Sequence, residues 1–510
     1  MKDKFIRGVG ILLISGVIAK VLGAIFRIPL TWVLGIDGLG LYQLIYPVFA
    51  LLIVLSSSGM PTAISKLVAT KVKEGNYVGA NQVLKVACVF FGAISFVFGV
   101  LLFMLAEQIS SIQGNTLSIW GYKAIAPAIF VVSFLSCLRG YFQGMNNMVP
   151  TAISQIIEQG GKLILGLLLA WLLLPFGVEF ATSGALLGVT LSEVFATITL
   201  FIIYKKQRKK SILGQKSKFR LVLSELVRVA LPIIVSSVIL PILAFVDSFL
   251  VVNLLMKDFP VDVSTQLWGV SSGVVTSLIN FPIALSLSVA VSVVPQLVGK
   301  QNDERKKLLN KAFELILLIS IPAAIFLCVL SRSVIATLYG MNFVLADKTL
   351  LAVRLLSFSA PLVVLGSILQ TQTSSLQAVG SGGRALITML LAGLMKVVLT
   401  IILVRVPSLN IWGFTIANFA FYLLAVGINV VFIHKKIGYS AYFQCVKKIL
   451  PAILLLTLVL LNVLLLNVSD FVKIILGLTV GGGGYIFSLL VFDVDIKFLN
   501  LRRMSIKNSS

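Results

Sequence analysis

Apolar residues in this chain come in stretches of about twenty, bounded by charge, glycine or proline. At about 1.5 Å per helical residue, that length crosses a hydrocarbon core about 30 Å thick. Fourteen stretches can be marked, at 5–28, 39–58, 80–105, 117–138, 150–174, 180–204, 225–253, 266–297, 308–330, 350–377, 384–404, 410–434, 448–468 and 471–492. The pattern predicts an all-α polytopic membrane protein with 14 transmembrane helices. The opening MKDKFIRG and the apolar run after it resemble a signal peptide. The run continues past Lys20 to Arg27 without an A-x-A-like site, so it reads as an uncleaved first span.

The polar positions divide the chain further. Residues 205–224 are a basic segment containing KKQRKKSILGQKSKFR. On either side the sequence repeats at an offset of 234: Pro61 and Lys66 correspond to Pro295 and Lys300, and Pro127, Gln143 and Lys162 to Pro361, Gln377 and Lys396. This gives an N-terminal lobe at 1–204, a cytoplasmic linker at 205–224 and a C-terminal lobe at 225–434. Two further spans follow in 435–492, and a cytoplasmic tail at 493–510. With six spans each, the lobes share one orientation, which implies a pseudo-twofold along the membrane normal and a site near the midplane between them.

Charge sets the orientation. Of 42 Lys and Arg residues, 31 fall in segments that are cytoplasmic if the N-terminus is. Only six fall outside: Arg27, Lys257, Arg332, Lys348, Arg405 and Lys473. Both termini are therefore expected in the cytoplasm. The linker is expected to touch anionic lipid headgroups. A net charge of +24 would suggest nucleic acid in a soluble protein, but here it lies mostly in short loops on one side. Hydrophobic residues make up 58% of the chain and mean hydropathy is +1.06, which excludes a soluble domain on a single anchor. Cys88, Cys137, Cys328 and Cys445 are scattered and imply no disulfide framework. His434, the one histidine, sits beside Lys435 and Lys436 as an interfacial residue. No metal-ligand cluster, Walker A loop or Ser/His/Asp arrangement is present, so neither an enzyme nor a cofactor is expected.

Three lysines interrupt the apolar pattern deep inside spans: Lys20, Lys162 and Lys396. A charge at mid-bilayer costs at least about 2.5–3.5 kcal/mol, so such residues are expected to face a bundle interior or a watery cavity. The first span aligns Gly16, Lys20, Gly23 and Arg27 on one helix face. Near the span end, Arg27 is also placed to snorkel. Embedded acids are Glu158, Glu193 and Asp247. Glu158 precedes Lys162 by four residues, the favourable order for an intrahelical pair, so a structural salt bridge competes with a binding role. At the matched position of the second half stands Ala392, so Lys396 must find its anion elsewhere. Asp247 is a candidate for that pairing or for a coupling cation. Embedded cations outnumber acids, which suits an anionic ligand such as a diphosphate.

The segment RGYFQGMNNMVPTAISQIIEQ at 139–159 resembles the stage V sporulation protein B and polysaccharide-transporter branch of the multidrug/oligosaccharidyl-lipid/polysaccharide flippase superfamily. GLGLYQLIYPVF at 38–49 and SSSGMPTAISKLVA at 56–69 are similar to the same branch. The resemblance implies two six-helix lobes plus two C-terminal helices. It also implies flipping of an undecaprenyl-diphosphate-linked saccharide, such as lipid II, across a bacterial cytoplasmic membrane. It places Arg27 at the cavity and Asp37 as the acid before the second span. It further implies sodium held by an acid of the seventh span, which Asp247 matches, with acid or amide residues of the eleventh. The eleventh span carries Lys396 and no acid, a departure from the pattern. Lys162 stands where the branch often has arginine, keeping the charge without the bidentate fork.

The expected cavity residues are thus Lys20, Arg27, Lys162, Lys396 and Asp37. Asp247, Glu158 and Glu193 are left for sodium or proton coupling or internal pairing. A monomeric flippase working by alternating access is the leading reading. A multidrug-and-toxin extrusion transporter is the alternative, although those typically have twelve spans and acidic cavities.

Overall fold

The computed structural model describes residues 2–207, 215–293, 297, 301–340, 346–438 and 442–491. The tail at 493–510, residues 208–214 of the linker, Pro295, Lys300 and the side chains of Lys20 and Cys445 lie outside the described residues.

Apolar helices dominate. From Val21 to Lys73 the chain is apolar and helical over 53 residues, roughly 80 Å and more than twice a bilayer core. Besides the gap between Ser57 and Met60, the break within it is Gly35 in α1 (Lys2–Ser57), at φ 66° and ψ −173°. Only glycine adopts that conformation readily. It falls between the expected first and second spans. Among the described residues ten helices are long and apolar enough to cross a membrane, or twelve if each of two bent pairs counts as one span. The sequence expectation was fourteen. One source of the difference is that Val21–Lys73 counts once despite its break at Gly35. Another is that Ile449–Leu465 is short for a span. The repeated prolines also act differently. Pro127 lies inside the unbroken α5 (Ile119–Gly144), whereas the pair meeting at Pro361 bends by 46°.

The chain forms two compact units, Met1–Val274 with Gly393–Ala417, and Val275–Ala392 with Asn418–Ser510. The boundaries fall inside helices, not in the 205–224 linker. The first unit holds α1, α2 (Met60–Lys73), α3 (Tyr77–Met104), α4 (Ala106–Ile112), α5, α6 (Val149–Gly161), α7 (Leu167–Leu173), α8 (Val178–Gln207), α9 (Phe219–Ser237), α10 (Ile239–Leu255) and α11 (Val261–Trp268). Its apolar interior is built around Met60, Ile64, Phe91 and Leu200 at one level and Leu30, Ile45, Tyr122 and Leu186 at another. A Cβ at Gly161 would come within 2.7 Å of the Ser192 Cβ, so glycine lets α6 press onto α8. Immediately beyond, Lys162–Gly166 form a π-helical turn.

The second unit comprises α12 (Thr276–Val293), α13 (Asn302–Val329), α14 (Ser331–Tyr339), α15 (Ala346–Ser359) and α16 (Leu362–Ala378). With them are the first part of α17 (Gly382–Val404), most of α18 (Ile411–Ile437), α19 (Tyr442–Leu465), α20 (Asp470–Leu476) and α21 (Gly482–Val491). Here α13 packs on both α16 and α19, and the Tyr485 hydroxyl donates to the Leu318 carbonyl at 3.2 Å. Large apolar side chains point outward along the spans, Phe176 at 70% and Leu465 at 82% exposure. In water that surface would drive aggregation, whereas lipid satisfies it.

Candidate functional site

Gly161 sets the first cluster. With α6 drawn onto α8, the Lys162 ammonium reaches Glu158 Oε1 at 2.6 Å and Glu193 Oε1 at 2.9 Å. The expected intrahelical pair is present, and Glu193 joins it from the next helix. Arg139 on α5 completes a quartet: its Nη2 lies 2.8 Å from Glu158 Oε2, and its Nε donates to Ser154 Oγ at 2.8 Å. Gln159 also donates to Glu158 Oε1 at 2.8 Å. Glu193 is the most enclosed member, its side chain 5% exposed, and its Oε2 has no hydrogen-bond partner. Two cations face two carboxylates, so the quartet is neutral as a set.

By the apolar pattern Arg139 lies one residue past a span end, among the cytoplasmic cations. In fact α5 runs on to Gly144, which keeps Arg139 within the helix and directs it at α6. A signal was available, since Arg139 opens the same motif that contains Glu158.

The second cluster involves α10 and α17. Lys396 Nζ lies 2.6 Å from Asp247 Oδ2, with side chains 8% and 6% exposed. The ammonium also sits 5.2 Å from the centre of the Phe414 ring, a cation–π distance. Of the two roles considered for Asp247, pairing with Lys396 is the one the geometry displays.

The α1 strip runs along α6. Ser15 Oγ donates to Gln155 Oε1 at 3.0 Å, and the space beside Gly23 is filled by Gln159. Arg27 is half-buried. The buried Tyr42 is stacked on Tyr46, 5.5 Å between ring centroids. Asp37 is exposed instead, and its Oδ1 accepts from Gln266 Nε2 at 2.6 Å. It is bonded to α11 and does not join either cluster.

These placements revise the charge balance. The three embedded acids are each engaged by a cation: Glu158 and Glu193 by Arg139 and Lys162, and Asp247 by Lys396. Arg139 adds a further cation to a set of embedded residues that already held more cations than acids. No group of three or more His, Cys, Asp or Glu that could hold a metal occurs among the described residues.

Comparison with known proteins extends this picture. The model of the polysaccharide biosynthesis protein family matches residues 5–263. Stage V sporulation protein B of Bacillus subtilis (strain 168) is 27% identical over 451 residues, covering 86% of this chain and 85% of that protein. Lipid II flippase MurJ of the same organism is 24% identical over 468 residues, covering 86% and 84%. Among solved structures, a lipid II flippase MurJ in an inward closed conformation aligns with a TM-score of 0.72 at 17% identity, covering 95% of this chain and 99% of that one.

Proposed function

The chain belongs to the polysaccharide biosynthesis protein family, and from that premise we propose that it flips an undecaprenyl-diphosphate-linked saccharide across a bacterial cytoplasmic membrane. The cargo is lipid II or a polysaccharide repeat unit, and the movement is alternating access between two six-helix lobes. In this reading the chain crosses the membrane fourteen times, with Gly35 separating the first two crossings. Both termini are cytoplasmic, and the last two spans flank the prenyl tail.

One observation carries the reading. Glu158, Glu193 and Asp247 are each engaged by a cation, and the embedded positions of the sequence hold more cations than acids. A positive surplus recruits a diphosphate and repels a cationic drug. The multidrug alternative calls for an anionic interior, and Arg139, Lys162 and Lys396 neutralise the three acids that could supply one. Lys162 and Lys396, by contrast, are held by carboxylates and serve the cargo only secondarily.

The test is genetic and chemical. Cells depleted of the protein accumulate a lipid-linked intermediate on the inner leaflet, identified by mass spectrometry. Wild type clears it, and the Lys20→Gln/Arg27→Gln variant inserts in the membrane but does not. Clearance by that variant at the wild-type rate would sink the proposal.

A further inference from the structure

The resemblance implies a sodium ion between the seventh and eleventh spans, and the residues present do not fit one. Asp247 is a suitable acid, 4% exposed and with Oδ1 lacking a hydrogen-bond partner. The eleventh span, GGRALITMLLAGLMKVVLTIILV in α17, contains neither an acid nor an amide. What it brings to Asp247 is the Lys396 ammonium, 2.6 Å from Oδ2.

The surroundings of that ammonium are those of a cation site. On one side is a carboxylate. On another is the Phe414 ring, whose centre is 5.2 Å away and which packs edge-on against Trp268 at 5.4 Å between centroids. Phe414 and Trp268 are 4% and 2% exposed, so the ring face is withheld from water, where cation–π attraction is strongest. One turn along α17, the buried Thr400 hydroxyl donates to the Lys396 carbonyl at 2.8 Å. Close by, Gly393 lets Leu243 of α10 approach and seal the interface. A free monovalent cation at the same carboxylate would meet the ammonium at contact range, and like-charge repulsion would expel it.

We propose that Lys396 is a tethered cation occupying the place of a mobile sodium ion, so that the protein binds no sodium there unless Lys396 is shortened or neutralised. The charge that a sodium-binding transporter takes from solution is here supplied covalently. Asp247 is consequently neutralised in every state in which the pair survives, and a sodium gradient has no purchase on this site.

Stability of the purified full-length protein reads this out independently of the cargo. Thermal unfolding is followed in sodium, potassium and choline chloride at equal ionic strength. Wild type is expected to give the same midpoint in all three. Lys396→Ala is expected to unfold earlier in choline and to regain about 2 °C or more in sodium, because a ligand that binds only the folded state raises its midpoint. Lys396→Gln, which keeps the bulk and offers an amide oxygen, should respond in the same way and serves if the alanine variant does not fold. Adding Asp247→Asn to either should abolish the response. Specific stabilisation of wild type by sodium would overturn the proposal. So would Lys396→Ala and Lys396→Gln variants that fold but ignore sodium.

Discussion

Lys162→Met is the most informative single change. Arg139 continues to neutralise Glu158 across 2.8 Å, so the loss falls on Glu193, whose Oε1 was 2.9 Å from the ammonium and whose Oε2 had no partner to begin with. A carboxylate 5% exposed and stripped of its cation is an uncompensated buried charge. Removing one member of a buried pair typically costs about 3–5 kcal/mol, whereas replacing both with neutral groups of similar volume is often nearly neutral. Lys162→Met should therefore lower stability by about 3–5 kcal/mol, which at about 2.1 cal/mol/K of unfolding entropy per residue over 510 residues is a drop of roughly 3–5 °C in the midpoint. Glu193→Gln alone should cost about 1–2 kcal/mol, since Lys162 keeps Glu158 at 2.6 Å. The double variant should recover at least half the loss, a coupling well above the additivity expected of independent sites. Thermal unfolding in detergent or nanodiscs measures all four forms. If the double variant is as unstable as the sum of the singles, the quartet does not hold together as described. Lipid clearance measured alongside separates the roles, because a stabilised double variant that still fails to clear would make Lys162 a cargo ligand as well.

Other changes probe separate links. Arg27→Gln should reduce clearance at least tenfold while leaving the unfolding midpoint within about 2 °C of wild type, since loss of one charge-assisted contact to the cargo is worth about 1.5–3 kcal/mol; an unchanged clearance rate would place Arg27 at the lipid interface instead. Gly35→Ala should destabilise by about 1–3 kcal/mol through backbone strain alone, because nothing lies within 4 Å of the added methyl, and Gly35→Asn should fare no better, because φ 66° with ψ −173° lies outside the left-handed well that asparagine tolerates. Cysteines at Gln207 and Asp258 should react with a membrane-impermeant maleimide from the cytoplasmic and outer faces respectively, and the reverse pattern would invert the topology.

Much of this was legible because bilayer thickness is a long-range rule written locally. Apolar runs of about twenty residues gave the helices, and the i,i+4 order gave the Glu158–Lys162 pair before any coordinates. What one sequence does not carry is which helices touch. Nothing local marks Glu193, 31 residues after Lys162, as its partner, whereas the lack of an acid beside Lys396 already pointed to Asp247, 149 residues before it. Those encounters depend on close approach at glycines such as Gly161 and Gly393, not on any periodic pattern. Arg139 was missed for a narrower reason: a charge near a span end looks cytoplasmic, and only the six further residues of α5 show otherwise. Proximity in sequence to the second span likewise says nothing about the bond of Asp37 to Gln266 across 229 residues.

The repeat gains its meaning from these contacts. Lys162 and Lys396 occupy equivalent positions at an offset of 234, and both end against buried carboxylates. Yet the acids are not equivalent: Glu158 is replaced by Ala392 in the second half, and Asp247 comes from a different helix altogether. In both places the lysine meets a buried carboxylate, although its partner is supplied by different routes. Its immediate effect is to neutralise, since each carboxylate it meets would otherwise be a costly buried charge. Under the proposed function, cancelling these acids removes carboxylates that would repel a diphosphate cargo. Under that reading Lys162 and Lys396 favour an anionic cargo chiefly by neutralising acids.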